Sequence, residues 1–186
     1  MPQVRAGKLR WQAGLVNING VAELRGVSEQ DGVLRIGALT TISTLLGSAT
    51  LRARCSLLWQ ACDAFASEQI RNAATLGGNL CNGSPKSDTA PPLITYDAKV
   101  RVMSAHAERI IPLREFHTGF NKTVMAPNEV MTSIEFDAPG EGTASAFVKI
   151  ARVACDISKL TCAIALQRDG DACTWCRIAL GAAAPC

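Results

Sequence analysis

The chain has 186 residues, 48% hydrophobic and 19% charged. That is enough apolar material for a real core and too little charge for a disordered chain. The net charge of +3 comes with scattered Lys and Arg, which excludes the clustered basic patch that a nucleic-acid backbone selects.

The first residues, Met1-Pro2-Gln3-Val4-Arg5, carry no apolar leader, and no apolar run approaches the ~20 residues of a spanning helix. A cytoplasmic protein with no membrane span is expected. Its eight cysteines then read as reduced thiols rather than a disulfide framework.

In chain order, residues 15–19 read as a short buried strand, and residues 21–24 lead into a turn. Residues 33–38 form a second strand with Leu34, Ile36 and Ala38 on one face. Thr40 or Thr41 caps a helix over residues 42–46. A longer helix covers residues 56–66, where Leu58, Ala61, Cys62 and Phe65 make one apolar stripe.

Next comes a stretch that cannot be a core helix or a core strand by composition. Residues 75–92 hold three glycines, two asparagines and several hydroxyls, without an aromatic. An irregular loop lining a cleft is expected. Gly77 or Gly78 should have φ > 0, or a backbone approached too closely for a Cβ. Successive N–H groups there suit an anion, although an isolated Gly-Gly-Asn is as readily a tight surface turn.

Asp88 or Thr89 then caps a short helix ending near Tyr96, with Pro91 in its first turn. Residues 99–103 alternate as a half-buried strand, residues 104–108 form a hairpin tip, and residues 109–113 return. Val130, Thr132, Ile134 and Phe136 share one face of another strand. Asp137-Ala138-Pro139-Gly140-Glu141-Gly142 is the best linker. A strand over residues 146–153 follows, then a hairpin of residues 160–167 and 173–181 around Arg168-Asp169-Gly170-Asp171. Strands and helices without regular βαβ alternation predict an α+β fold.

Four segments carry a family resemblance. The longest runs from Ser67-Glu68-Gln69-Ile70-Arg71-Asn72 through Thr75-Leu76-Gly77-Gly78-Asn79-Leu80 to Ser87-Asp88. The others are Leu34-Arg35-Ile36-Gly37-Ala38-Leu39-Thr40-Thr41-Ile42, Gly119-Phe120-Asn121-Lys122-Thr123-Val124-Met125-Ala126-Pro127-Asn128-Glu129, and Phe147-Val148-Lys149-Ile150-Ala151-Arg152-Val153-Ala154-Cys155-Asp156-Ile157-Ser158-Lys159. In this order they resemble the FAD-binding subunits of molybdenum hydroxylases, such as xanthine dehydrogenases and aerobic carbon monoxide dehydrogenases.

The resemblance implies an FAD-binding PCMH-type mixed α/β domain over residues 1–137. Part of the carbon monoxide dehydrogenase flavoprotein C-terminal α+β domain would follow over residues 143–186. It also implies that the family's first phosphate-binding loop precedes Met1 and that its last helices follow Cys186. The chain is therefore expected to be a fragment that binds FAD weakly by itself.

By the same resemblance, Thr75, Leu76, Gly77, Gly78 and Asn79 contact the FAD diphosphate. Asp88 holds a polar edge of the cofactor or is simply a helix cap. Met131 packs on the flavin or is plain core. Lys149 sets a cation near the flavin or is a solvated strand lysine. FAD is the cofactor of this chain; molybdopterin and the 2Fe–2S clusters belong to a large and a small partner subunit, and NAD or another acceptor takes the electrons. The implied enzyme is an oxidoreductase whose cofactor does the chemistry, so no catalytic side chain is expected.

No metal site is expected either. Cys173-Thr174-Trp175-Cys176 has CxxC spacing, but residues three apart on a strand face opposite sides. His106 and His117 read as ordinary surface residues. The rival function is a non-catalytic docking module that holds no FAD.

Overall fold

A computed structural model describes residues 16–184. A five-stranded antiparallel sheet has the order β1-β2-β7-β3-β4. Its strands are β1 (Val27–Gln30), β2 (Val33–Gly37), β3 (Lys99–Met103), β4 (Glu108–Pro112) and β7 (Val130–Asp137). Alternation sends Leu34 and Ile36 of β2, and Val100 and Val102 of β3, into the core with no exposure. A small ribbon, β5 (His117–Gly119) and β6 (Lys122–Thr123), sits between β4 and β7 in the chain.

On β7 the alternation is broken. Ser133 pairs with Arg101 but Met131 pairs with Val102, so Thr132 is an extra residue in the ladder. The bulge reverses which residues face inward on either side of it. Ile134 and Phe136 are buried as expected, but below the bulge Met131 is the inward residue and Val130 is exposed.

The start also differs from expectation. Leu15 lies outside the described residues, and residues 17–19 form no strand; Val16 is 84% exposed. A single 3-10 turn, Ala22–Leu24, precedes β1.

Short helices cover one face of this sheet. Thr41 caps α1 (Ile42–Leu46), its hydroxyl accepting from the Thr44 N–H at 3.1 Å. Ser48 caps α2 (Ala49–Arg54) in the same way. Helix α3 (Ser56–Asp63) buries Leu57, Leu58, Ala61 and Cys62. It stops short of the expected end at residue 66. The Arg71 guanidinium donates to the carbonyls of Asp63, Phe65 and Ala66, and Ala66 takes φ +38°. A side chain arriving from α4 (Glu68–Ala73) thus replaces the last helical turn.

The Gly-Gly-Asn segment is not an irregular loop. It is helix α5 (Leu76–Cys81), capped by Thr75, whose Oγ1 accepts from the Gly78 N–H at 3.1 Å. Neither Gly77 nor Gly78 has positive φ. The close approach does hold: a Cβ on Gly77 would lie 2.6 Å from the Ala38 Cβ and 2.8 Å from the Ala38 oxygen. Glycine costs about 1 kcal/mol in a helix interior. Here it lets α5 rest directly on the end of β2 while Leu76 and Leu80 enter the core without exposure.

A second sheet, β10-β9-β8, is an antiparallel meander of β8 (Ala144–Ile150), β9 (Leu160–Asp169) and β10 (Ala172–Gly181). It lies over α3 and α6 (Ala90–Thr95) through small inward residues, Ala163 and Ala165, both fully buried. Gly181 belongs to this face; a Cβ there would collide with the Thr161 hydroxyl and sit 2.9 Å from Pro91. Polar stitches join the layers: Phe147 N–H to Gln60 Oε1 at 3.0 Å, and Ser56 to Ser145 at 2.9 Å. The outer face carries Val148, Ile150, Ile178 and Leu180, each more than half exposed. A last short helix, α7 (Leu113–Phe116), closes the end of β4. Among the described residues no helix is long and apolar enough to cross a membrane.

The glycine contacts separate two neighbouring substitutions. Gly77→Ala meets backbone atoms that cannot swing away, so it should destabilise by about 1–3 kcal/mol despite better helix propensity. Gly78→Ala meets only the Thr75 hydroxyl, at 2.8 Å. Loss of that cap, about 1 kcal/mol, is matched by the propensity gain, and stability should hardly change. Thermal melts of both variants check this; equal losses would count against it.

Candidate functional site

The site grows from one buried turn. Ser87, Asp88 and Thr89, just before α6, are all nearly out of solvent, at 3%, 7% and 0% exposure. Three consecutive buried polar side chains need partners from elsewhere in the fold. Asp88 does not cap α6; Thr89 stands at the N-cap without a side-chain bond, and the Ser87 Oγ accepts from the Ala90 N–H at 3.2 Å.

Asp88 pairs instead with Lys149 of β8. The Lys149 Nζ lies 2.7 Å from Asp88 Oδ2 and donates to the Ala64 carbonyl at 3.0 Å. The two side chains are only 9% and 7% exposed, so Lys149 is no solvated strand lysine. Strand alternation turns it inward, onto the end of α3.

The other Asp88 oxygen, Oδ1, is buried and has no hydrogen-bond partner. The nearby Ser158 hydroxyl is engaged with the Lys86 carbonyl at 3.2 Å. Burial pushes the Asp88 carboxyl above its ordinary range, while the Lys149 ammonium pulls it back. An unpaired buried carboxylate oxygen is costly unless a donor completes it.

Lys149 also lines a cleft of about 760 Å³ with Trp59, Gln60, Ala64, Arg71, Phe147 and Arg152. The cleft is polar and aromatic at once, which suits a planar ring with hydrogen-bonding edges.

The remaining expected residues divide. On α5 the backbone donors are already committed. The N–H groups of Leu76, Gly77, Gly78 and Asn79 go to Thr40 O, Ala38 O, Thr75 Oγ1 and Thr75 O. The expected cradle of free backbone N–H groups is therefore not formed here. What α5 does offer is the Thr75 hydroxyl hydrogen, the Asn79 side-chain amide and the bare, exposed backbone at Gly78. Leu76 is core, with no exposure. Met131 lies in the main hydrophobic cluster, 4% exposed, on the strand against which α5 packs.

From sequence Ser87 reads only as a hydroxyl of the motif and Thr89 only as a cap candidate, and Gln60 and Arg71 carry no assigned role. Ser87 and Thr89 flank Asp88 in the motif, and that spacing was the signal available for them. The partner of Gln60, the Phe147 N–H, is remote in sequence, whereas Arg71, inside the motif, folds back on carbonyls five to eight residues before it.

His117 is also corrected. It is half-buried on β5, with Nε2 2.9 Å from the Leu80 carbonyl of α5. Cys173 and Cys176 flank a bulge on β10, so strict alternation does not fix how they face. Among the described residues no group of three or more His, Cys, Asp or Glu could hold a metal ion.

Comparison with known proteins identifies the class. Residues 1–138 match the family model described as the FAD binding domain in molybdopterin dehydrogenase. The chain is 39% identical over 174 residues to the xanthine dehydrogenase FAD-binding subunit of Escherichia coli O157:H7, covering 92% of this chain and 60% of that protein. It is 33% identical over 171 residues to the carbon monoxide dehydrogenase medium chain of Hydrogenophaga pseudoflava, again covering 92% and 60%. The fold superposes on carbon monoxide dehydrogenase from that organism with a TM-score of 0.88 at 33% identity, over 90% of this chain and 58% of the other. Against quinoline 2-oxidoreductase from Pseudomonas putida 86 the TM-score is 0.92 at 27% identity, over 99% and 64%. The chain belongs to the family of FAD-binding subunits of molybdenum hydroxylases, and it spans about three-fifths of the length of the relatives it matches.

Two measurements test the buried pair. Lys149→Met strands a buried carboxylate and should cost about 3–5 kcal/mol, whereas the Asp88→Asn, Lys149→Met double variant should cost clearly less. Equal losses would show that the pair is not the source. The pH dependence follows from the raised Asp88 value. A carboxyl that binds its proton more tightly when folded favours folding at low pH, and this contribution disappears as pH rises through its folded value. Urea unfolding at successive pH values should therefore show wild type losing ground to Asp88→Asn as pH rises. The opposite slope would refute the assignment.

Proposed function

We propose that this chain is the flavin-holding part of a molybdenum hydroxylase complex and relays electrons from the iron–sulfur clusters of a small partner subunit to an acceptor such as NAD or a quinone. The observations that carry the reading are the buried Asp88–Lys149 pair with its orphaned Oδ1 and, beside Lys149, a cleft of fitting size and chemistry. Substrate oxidation would take place at molybdopterin on a large partner subunit, and the proposed complex is cytoplasmic. Residues 1–137 form the FAD-binding domain in this reading, and residues 143–186 belong to the C-terminal flavoprotein domain.

Bound FAD supplies redox chemistry that exchanges electrons singly with clusters and in pairs with a soluble acceptor. The chain's own residues bind and orient it. Thr75 and Asn79 present an O–H and an amide toward the diphosphate, and Gly78 leaves room for a close approach. Asp88 accepts from a donor on the cofactor, which satisfies Oδ1 and holds one polar edge. Lys149 places a fixed positive charge beside an electron-rich ring, favouring the state with added negative charge. Met131 supports the ring from within the core, as backing rather than as a solvent-facing contact.

This division of labour predicts weak binding by the described residues alone. Two side-chain donors cannot replace the hydration of two phosphate charges, where each charge-assisted bond is worth about 1.5–3 kcal/mol. Fluorescence titration of FAD against the chain measures its affinity. Asp88→Asn should weaken it about tenfold or more. Wild-type affinity in that variant would sink the assignment of Oδ1. Adding NAD⁺ or a quinone to the chemically reduced complex, and following the acceptor's absorbance, identifies the acceptor.

A further inference from the structure

Asn79 has a second task that its place in the motif does not suggest. Its Oδ1 accepts two hydrogen bonds, from Ser87 Oγ at 2.5 Å and from Thr89 Oγ1 at 2.7 Å. The orientation of the amide follows from chemistry. Ser87 already accepts from the Ala90 N–H, so its own hydrogen must find an acceptor inside the fold. Both hydroxyl groups are buried, and for each of them the Asn79 oxygen is the acceptor. The residue between them is Asp88.

We propose that Asn79 is a positioning residue: through the Ser87 and Thr89 hydroxyls it clamps the turn that presents Asp88 to Lys149 and to the cofactor. The clamp joins α5 to the start of α6, and Lys149 holds the same turn from β8 at 2.7 Å. Asp88 is thereby fixed from both neighbours in sequence and from its own carboxylate. An amide suits this place better than a hydroxyl, because one carbonyl oxygen carries two lone pairs and takes both bonds. The consequence for the cofactor rests on the flavin reading; the clamp itself exists without a ligand.

The test uses the cofactor-free chain first. Lys86 is exposed at the edge of the turn and is a trypsin site. Asn79→Leu removes the acceptor, and Ser87→Ala with Thr89→Val removes both donors while leaving Asn79 untouched. Each loses both buried hydrogen bonds to the Asn79 oxygen and should raise the rate of cleavage at Lys86 by about tenfold or more. Asn79→Asp keeps the acceptor oxygen and should cleave at the wild-type rate. Circular dichroism melts distinguish local opening from global unfolding.

Bound FAD supplies the second readout. The Ser87→Ala, Thr89→Val variant should change the visible circular dichroism of bound FAD in the same sense as Asp88→Asn. Wild-type cleavage and a wild-type flavin spectrum in that double variant would overturn the proposal, as would rapid cleavage of Asn79→Asp. Failure of wild type to bind FAD would instead refute the flavin reading and leave the cleavage result to decide the clamp.

Discussion

Taking a carboxylate and an ammonium out of water costs several kcal/mol per ion, and a protein accepts this only where their mutual attraction and further hydrogen bonds offset it. Asp88 and Lys149 meet that condition on one side only. Lys149 is satisfied by Asp88 and by the Ala64 carbonyl, while one oxygen of Asp88 is left without a donor. Much of the surrounding structure serves this pair. The second sheet must lie close over α3 and α6 for Lys149 to reach its partner, and small residues on its inner face allow that closeness.

The same constraint explains how the helical layer is built. Arg71 ends α3 by taking three carbonyls, which frees the neighbouring Ala64 carbonyl to receive Lys149. Gly77 lets α5 touch the end of β2, and this fixes where Asn79 stands. Asn79 in turn reaches the hydroxyls on either side of Asp88. A chain of short-range requirements runs from a glycine contact to the orientation of one carboxylate, and each link is a specific distance rather than a general tendency to pack.

A flavin subunit needs few reactive side chains, because its cofactor carries the redox chemistry. What it must supply is a rigid frame with a small number of unsatisfied polar groups in the right place. Here the donors and acceptors next to Asp88 in sequence and on α5 are spent internally. The backbone N–H groups of residues 76–79 all have partners, and so do Ser87 and Thr89. Against that background the one unspent oxygen of Asp88 stands out.

Sequence alone determined the family, the α+β class, and the elements whose signals are local. The β3–β4 and β9–β10 hairpins and the Thr41 cap depend on alternation, turn residues and side chain-to-backbone reach within a few positions, all readable along the chain. Tertiary structure decided what depends on distant partners. Composition argued against a helix at Leu76–Cys81, because glycine's intrinsic cost is visible in sequence while the Ala38 surface that rewards it is not. The bulge on β7 follows from pairing with β3, some thirty residues away, and moved Met131 inward in place of Thr132. The motif identified Asp88 and Lys149 separately. Only the packing of β8 against α3 and the turn before α6 brought them within 2.7 Å, because a buried charge finds its counterpart through the fold and not through sequence spacing.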